Sequence, residues 1–277
     1  MVKRLDEVVK APGFPGEIGD TTKSVKEGCS ICEFLVDGEC IRWYVAYEDI
    51  LTAVCEIWDV FVRGLIHNLN GTRGHFDIAY AQLLEGEDDE HWKEVLGKGV
   101  REMGKFVREL EERARRRGSP GAQMINLNRL VHTELVSMKH HLVFKHRVKV
   151  SEKYISSMPP LRGNYASVGD VIFYMLCSIG EGVAVKESEF GMVDLLVSTG
   201  FDEKDGWRVG FQVVPGVEVW KSSRAVALVA FAMHLAEKLG VFVRAEEMKG
   251  NVYYSLFFPV DVFHFDLLDI RGDEIVG

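Results

Sequence analysis

No stretch of this chain reaches the run of about 18 apolar residues needed to span a bilayer, and its opening lacks the basic-then-apolar pattern of a secretory signal. It has no surplus of positive charge either. Against 33 Lys and Arg stand 42 Asp and Glu, a net charge of −9, which argues against nucleic acid as a partner because phosphate contact needs a cationic surface. The 5 cysteines do not form a disulfide framework, which fits a reducing compartment. No fixed-period repeat is visible. What remains is a cytoplasmic globular protein of one or two domains, with no membrane partner. Its hydrophobic share of 47% and charged share of 27% supply an ample core.

What the sequence does have is a pair of long helices between Glu48 and Arg117. Apolar residues at Ile50, Val54, Ile57, Trp58, Phe61, Leu65 and Leu69 step by three and four, which marks one helical face. From His67 the chain reads H-N-L-N-G-T-R-G-H, with glycines where good helix formers belong. The spacing resumes at Phe76, Ile78, Ala79, Leu83 and Leu84. Glu85 to Asp89 supply a turn and an N-cap. A second stripe follows at Trp92, Leu96, Val100, Met103, Val107 and Leu110. A hairpin with one seam on each helix cannot bury both seams alone. Pairing with a second copy, as a homodimeric four-helix bundle, buries them. The competing arrangement folds the rest of the chain down over the hairpin.

Residues 1–47 read as a loosely ordered lead-in with a cysteine-rich hairpin. Cys29 and Cys32 form a C-x2-C, and Cys40 returns across an Asp37-Gly38 turn. Three thiols in that arrangement suit a zinc ion or an iron–sulfur cluster, with Cys55 as a remote fourth ligand. The plainer reading is small apolar side chains packing a short hairpin. Gly118-Ser119-Pro120-Gly121 breaks the chain, so the helical hairpin spans 48–118 and a second unit spans 122–277. Within that unit a helix begins at Asn126 or Asn128, shows an apolar face at Leu127, Leu130, Val131, Leu135, Met138 and Leu142, and carries His132, His140, His141 and His146. These imidazoles read as solvated or packed rather than metal-binding. Strand, helix, strands, helix and a final strand pair follow, with Gly240 closing the last long helix. The fold class is α+β: a long helical hairpin followed by an α/β sandwich.

Two features give this order a family resemblance. His67, Asn68, Leu69, Asn70, Gly71 and Thr72 stand midway along the first helix, where the phosphoacceptor box of two-component histidine kinases would stand. Downstream, M-P-P-L-R-G-N-Y with V-G-D-V-I-F-Y-M-L-C-S-I-G-E-G, and A-V-A-L-V-A-F-A-M-H-L-A-E-K-L-G-V-F-V-R-A-E, resemble the asparagine-box and second glycine-box regions of the kinases' ATP-binding domain. Together the resemblance covers residues 48–260. It implies a dimerising hairpin with His67 as phosphoacceptor, flanked by Asn68 and Asn70, and a sandwich of the histidine kinase ATPase type.

The same resemblance implies a loss of ATPase chemistry. Ser178 stands where the family's asparagine holds Mg²⁺, Gln212 opens the stretch where the adenine-binding aspartate belongs, and Ala225 and Ala227 replace phosphate-facing glycines. A methyl at those positions obstructs the approach of backbone N–H groups to phosphate. The acid after the phosphoacceptor is here Asn68, which cannot serve as a base. The resemblance therefore implies a phosphorelay protein, exchanging phosphoryl groups between His67 and the aspartate of a response-regulator receiver that brings its own Mg²⁺. Two alternatives stand beside it. One is a non-catalytic pseudokinase that docks a partner and senses metal or redox state. The other is a divergent active kinase.

Overall fold

The computed structural model describes residues 35–36, 39–40, 45–86, 89–118, 121–185, 192–214, 222–248 and 251–263. The short strands β1 (Leu35–Val36) and β2 (Glu39–Cys40) pair antiparallel across the position of the expected turn, with Leu35 opposite Cys40. Cys29 and Cys32 lie outside the described residues.

Helix α1 (Tyr47–Leu84) is a single helix of 38 residues. It runs straight through Gly71 and Gly74, where an added Cβ would meet nothing within 4 Å. Each of those glycines costs about 1 kcal/mol relative to alanine, so packing must carry the middle of α1. Helix α2 (Asp89–Arg117) supplies it by folding back along α1. At Gly99 the missing side chain makes room for the Phe76 ring, whose edge would lie 3.0 Å from an added Cβ. Gly86, at φ 79°, ends α1 in the left-handed conformation that glycine tolerates.

The second unit begins with β3 (Gln123–Ile125), α3 (Leu127–Ser137), a 3₁₀ turn (Met138–His140) and α4 (Leu142–Arg147). Then come β4 (Val148–Lys153), β5 (Leu161–Gly163) and α5 (Tyr165–Val185). β6 (Val193–Asp202), β7 (Gly206–Val214), α6 (Ser223–Leu239), β8 (Phe242–Met248), β9 (Asn251–Phe258) and the short α7 (Val260–Phe263) complete it. The main sheet has the order β4-β6-β7-β9-β8. Only β4 and β6 run parallel. The other neighbours are antiparallel. The Leu161-Arg162-Gly163 segment pairs with β3 as a second small sheet.

Alternation along β7 buries Val209, Phe211 and Val213 and turns the residues between them to the open face, as a sheet covered on one side requires. The cover is helical. α5 is apolar and long enough to cross a membrane by composition alone, but 83% of its most apolar window is buried in the core. α6 packs along it, capped by Ser222 at its start and by Gly240, φ 69°, at its end.

The core does not stop at the second unit. Ala53, Ile57 and Phe61 of α1 are buried within it, and Trp58 and Phe61 contact the Phe173 ring of α5 at 5.9 and 5.0 Å. The second unit thus covers part of the seam that the hairpin alone leaves wet. The apolar face left open is a different one. Leu51, Trp58, Val62, Ile66, Tyr80 and Leu84 lie on one side of α1 and are 44–70% exposed.

Candidate functional site

His67 lies midway along α1 with its side chain exposed. It lies between Gly64 and Asn68, both of which approach the second unit. One turn earlier, Gly64 faces the 3₁₀ turn, and a Cβ there would collide with the His140 carbonyl. Only glycine admits that approach. One position after His67, Asn68 is held from both ends. Lys145 Nζ donates to Asn68 Oδ1 at 2.7 Å. Asn68 Nδ2 lies 3.0 Å from His140 Nδ1 and 3.4 Å from the Lys139 carbonyl oxygen. An ammonium can only donate, so the amide oxygen faces Lys145 and the amide nitrogen donates to His140. Thr72 Oγ1 donates to the Asn68 carbonyl oxygen at 3.3 Å. Asn70 is exposed.

The 3₁₀ turn exists because the helix expected to continue through Leu142 breaks at His141. That residue is extended, at φ −87° and ψ 103°, and its Nδ1 accepts the Phe144 N–H as the cap of α4. With Nδ1 accepting, Nε2–H donates to Glu181 Oε1 at 3.1 Å. Arg224 Nη1 donates to the other oxygen of Glu181 at 2.9 Å, and Arg224 Nε donates to Glu56 of α1 at 2.7 Å. The chain His141–Glu181–Arg224–Glu56 therefore ties α4, α5, α6 and α1 together. His141 is fully buried, and the Glu181 side chain is 9% exposed. Burial pushes the Glu181 pKa up, but the hydrogen bond from His141, with the Arg224 guanidinium, outweighs it and holds the carboxyl below its ordinary value.

Sequence reading placed His141 among the packed or solvated histidines without assigning this role. The available signal was Glu181 itself, an acid inside the apolar run of α5. A buried acid in such a run must find a partner.

The positions singled out for nucleotide stand as follows. Ser178 is fully buried, and its hydroxyl donates to the Met175 carbonyl at 2.7 Å. Gln212 lies between buried Phe211 and Val213, so it points to the open face of the sheet and donates to Tyr253 Oη at 3.0 Å. Ala225 and Ala227 are buried on α6. The Ala225 N–H is already taken by the Ser222 hydroxyl at 3.1 Å.

Of the cysteines, Cys40 is described only as part of β2. Cys55 is free and exposed on α1, and Cys177 is free and buried. Among the described residues no group of three or more His, Cys, Asp or Glu could hold a metal. The nearest pairing of that kind is His132 with Glu152, at 2.8 Å.

No family model matches the chain, and no curated protein matches it in sequence. Solved structures do. The histidine kinase AdeS of Acinetobacter baumannii aligns at 11% identity and a TM-score of 0.37, over 70% of this chain and 97% of that one. The nucleotide-free catalytic domain of the histidine kinase ThkA aligns at 13% identity and a TM-score of 0.39, over 50% of this chain and 96% of that one. A structure described as a bacterial phosphotransferase aligns at 12% identity and a TM-score of 0.37, over 76% of this chain and 97% of that one. At identities and scores this low, no activity is carried over from these proteins to this chain.

Proposed function

We propose that this protein is a histidine phosphotransferase of the two-component type, relaying phosphoryl groups between His67 and receiver aspartates. In the forward step a ring nitrogen of His67 attacks the phosphorus of an aspartyl phosphate. The aspartate carboxylate leaves, and the ring gives up its proton to solvent. The reverse step passes the group to a second receiver. The receiver supplies Mg²⁺ and most of the charge stabilisation, so the chain itself needs only an imidazole nucleophile held in the open.

The observation that carries this reading is the exposure of His67 on a continuous helix. Val62 lies in the middle of the open apolar face, and at 3.6 residues per turn His67 stands about 140° around α1 from it. A second copy docked on that face would leave His67 accessible. Asn68 supports relay over autophosphorylation. It has no basic oxygen, and both ends of its amide are occupied. Ser178, Gln212 and Ala225 support the same reading, since their polar groups bond within the fold, and Ala227 is buried.

The test is transfer from a purified receiver carrying labelled aspartyl phosphate. Wild type is expected to take up acid-labile label, and His67→Gln is expected to take up none. Label that survives the substitution would remove His67 as the acceptor. Absence of label from every receiver tried would favour a docking protein without transfer activity.

A further inference from the structure

Beside Asn68, between α1, α2 and the segment joining α3 to α4, the two units enclose a cleft of about 430 Å³. That volume is in the range of small-molecule sites, roughly 300–1,000 Å³, which combine apolar walls with a few converging polar groups. One wall is apolar, formed by Met103 and Phe106 of α2 and by Val136 of α3. The lining also carries Lys139 and Lys145, with Glu102 as its acid. Two ammonium groups and one carboxylate on the lining favour an anion, although Lys139 also interacts with the Glu152 carboxylate beyond it. Lys145 gives one proton to Asn68 and has two more to donate. Asn68 and His140 are bonded to one another, which fixes the wall behind the lysines without making the amide the ligand's partner.

We propose that this cleft binds a small organic anion: one carboxylate or phosphate group on an apolar body. The charged end lies against Lys139 and Lys145, and the body lies against Met103, Phe106 and Val136. The proposal does not rest on transfer at His67, and its test reads binding alone. An empty cleft and an inert His67 are therefore separate results.

The full chain is titrated by calorimetry and ligand-observed NMR with benzoate and phenyl phosphate. Inorganic phosphate serves as the charge without the body, and benzyl alcohol as the body without the charge. The proposal expects saturable binding of benzoate or phenyl phosphate, one per chain, at least about tenfold tighter than either control, a gap of 1.4 kcal/mol. Whether the carboxylate or the phosphate binds tighter identifies the headgroup. Replacing Lys139 and Lys145 by alanine should weaken binding about tenfold or more. Glu102→Gln should tighten it by removing a like charge, an effect opposite in sign to general damage at an exposed position. Val136→Trp should fill the cleft and abolish binding. The proposal is overturned if no probe saturates, if inorganic phosphate binds as well as phenyl phosphate, or if affinity ignores both the lysine and the Glu102 substitutions.

Discussion

Glu181 sits inside an apolar helix and is retained there by His141 on one side and Arg224 on the other. Its folded pKa lies below the ordinary 4.5. A carboxyl with a depressed folded pKa contributes stability that is present in full above its unfolded pKa and is lost as pH falls through the folded one. Replacing Glu181 with Gln removes the charge but keeps the shape. At neutral pH the variant should be less stable by about 1–3 kcal/mol, the usual cost of leaving buried charged partners short of a hydrogen bond. The deficit should shrink as pH drops below about 4.5, because the wild-type carboxyl is then losing its own advantage. Urea unfolding at a series of pH values measures this directly. A deficit constant from pH 7 to pH 3 would mean that the charge contributes nothing. Arg224 and Glu56 add less, since that pair is 37% and 47% exposed and solvent screens it.

At the scale of elements, the docking of α1 on the second unit turns on one missing side chain. Gly64→Ala puts a methyl into the His140 carbonyl, so either α1 or the 3₁₀ turn must move. The expected cost is about 1–3 kcal/mol, the range for overpacking. Amide exchange should rise at Met138–His141 and around Phe61, and stay unchanged in β6, β7 and β9. Protection equal to wild type at the 3₁₀ turn would contradict the close approach. Much of the element order was legible before the structure. Three- and four-residue spacing marks α1 and α2, Gly240 marks the end of α6, and a strand pair follows it. Two things were not legible. Periodicity reports which residues are apolar, not which neighbour each face meets. It therefore merged Phe61, which is buried against the second unit, with Trp58, which touches that unit while remaining 44% exposed on the open face. Nor could it find the break at His141, because apolar spacing continues across it through Met138 and Leu142. The break comes from a side-chain cap and a partner forty residues later in sequence. The sequence singles out His67 and Asn68 as candidates. The long-range partners of Asn68, His140 and Lys145, were not legible, because contacts more than seventy residues apart leave no local mark.

For the whole molecule, the open face of α1 sets the expected assembly. Leu51, Trp58, Val62, Ile66, Tyr80 and Leu84 form an exposed apolar stripe of the kind that marks an interaction surface. Two copies meeting along it would bury an interface that outweighs the cost of association at about 25 cal/mol per Å². Light scattering should report twice the chain mass, and Val62→Glu should split the dimer without unfolding the second unit. Leu65, by contrast, is half-buried beside that stripe, so Leu65→Glu should cost fold stability as well. A wild-type monomer at high micromolar concentration would contradict the dimer. It would not touch the relay, because His67 is exposed in the single chain. The central claim is tested most directly by locating the phosphoryl group. Wild-type protein is incubated with a phosphorylated receiver and Mg²⁺ at neutral pH, quenched in base, and mapped by mass spectrometry. The account predicts a phosphoramidate on His67 that returns to fresh receiver on dilution. A phosphoryl group on any other residue, or on none, would contradict it.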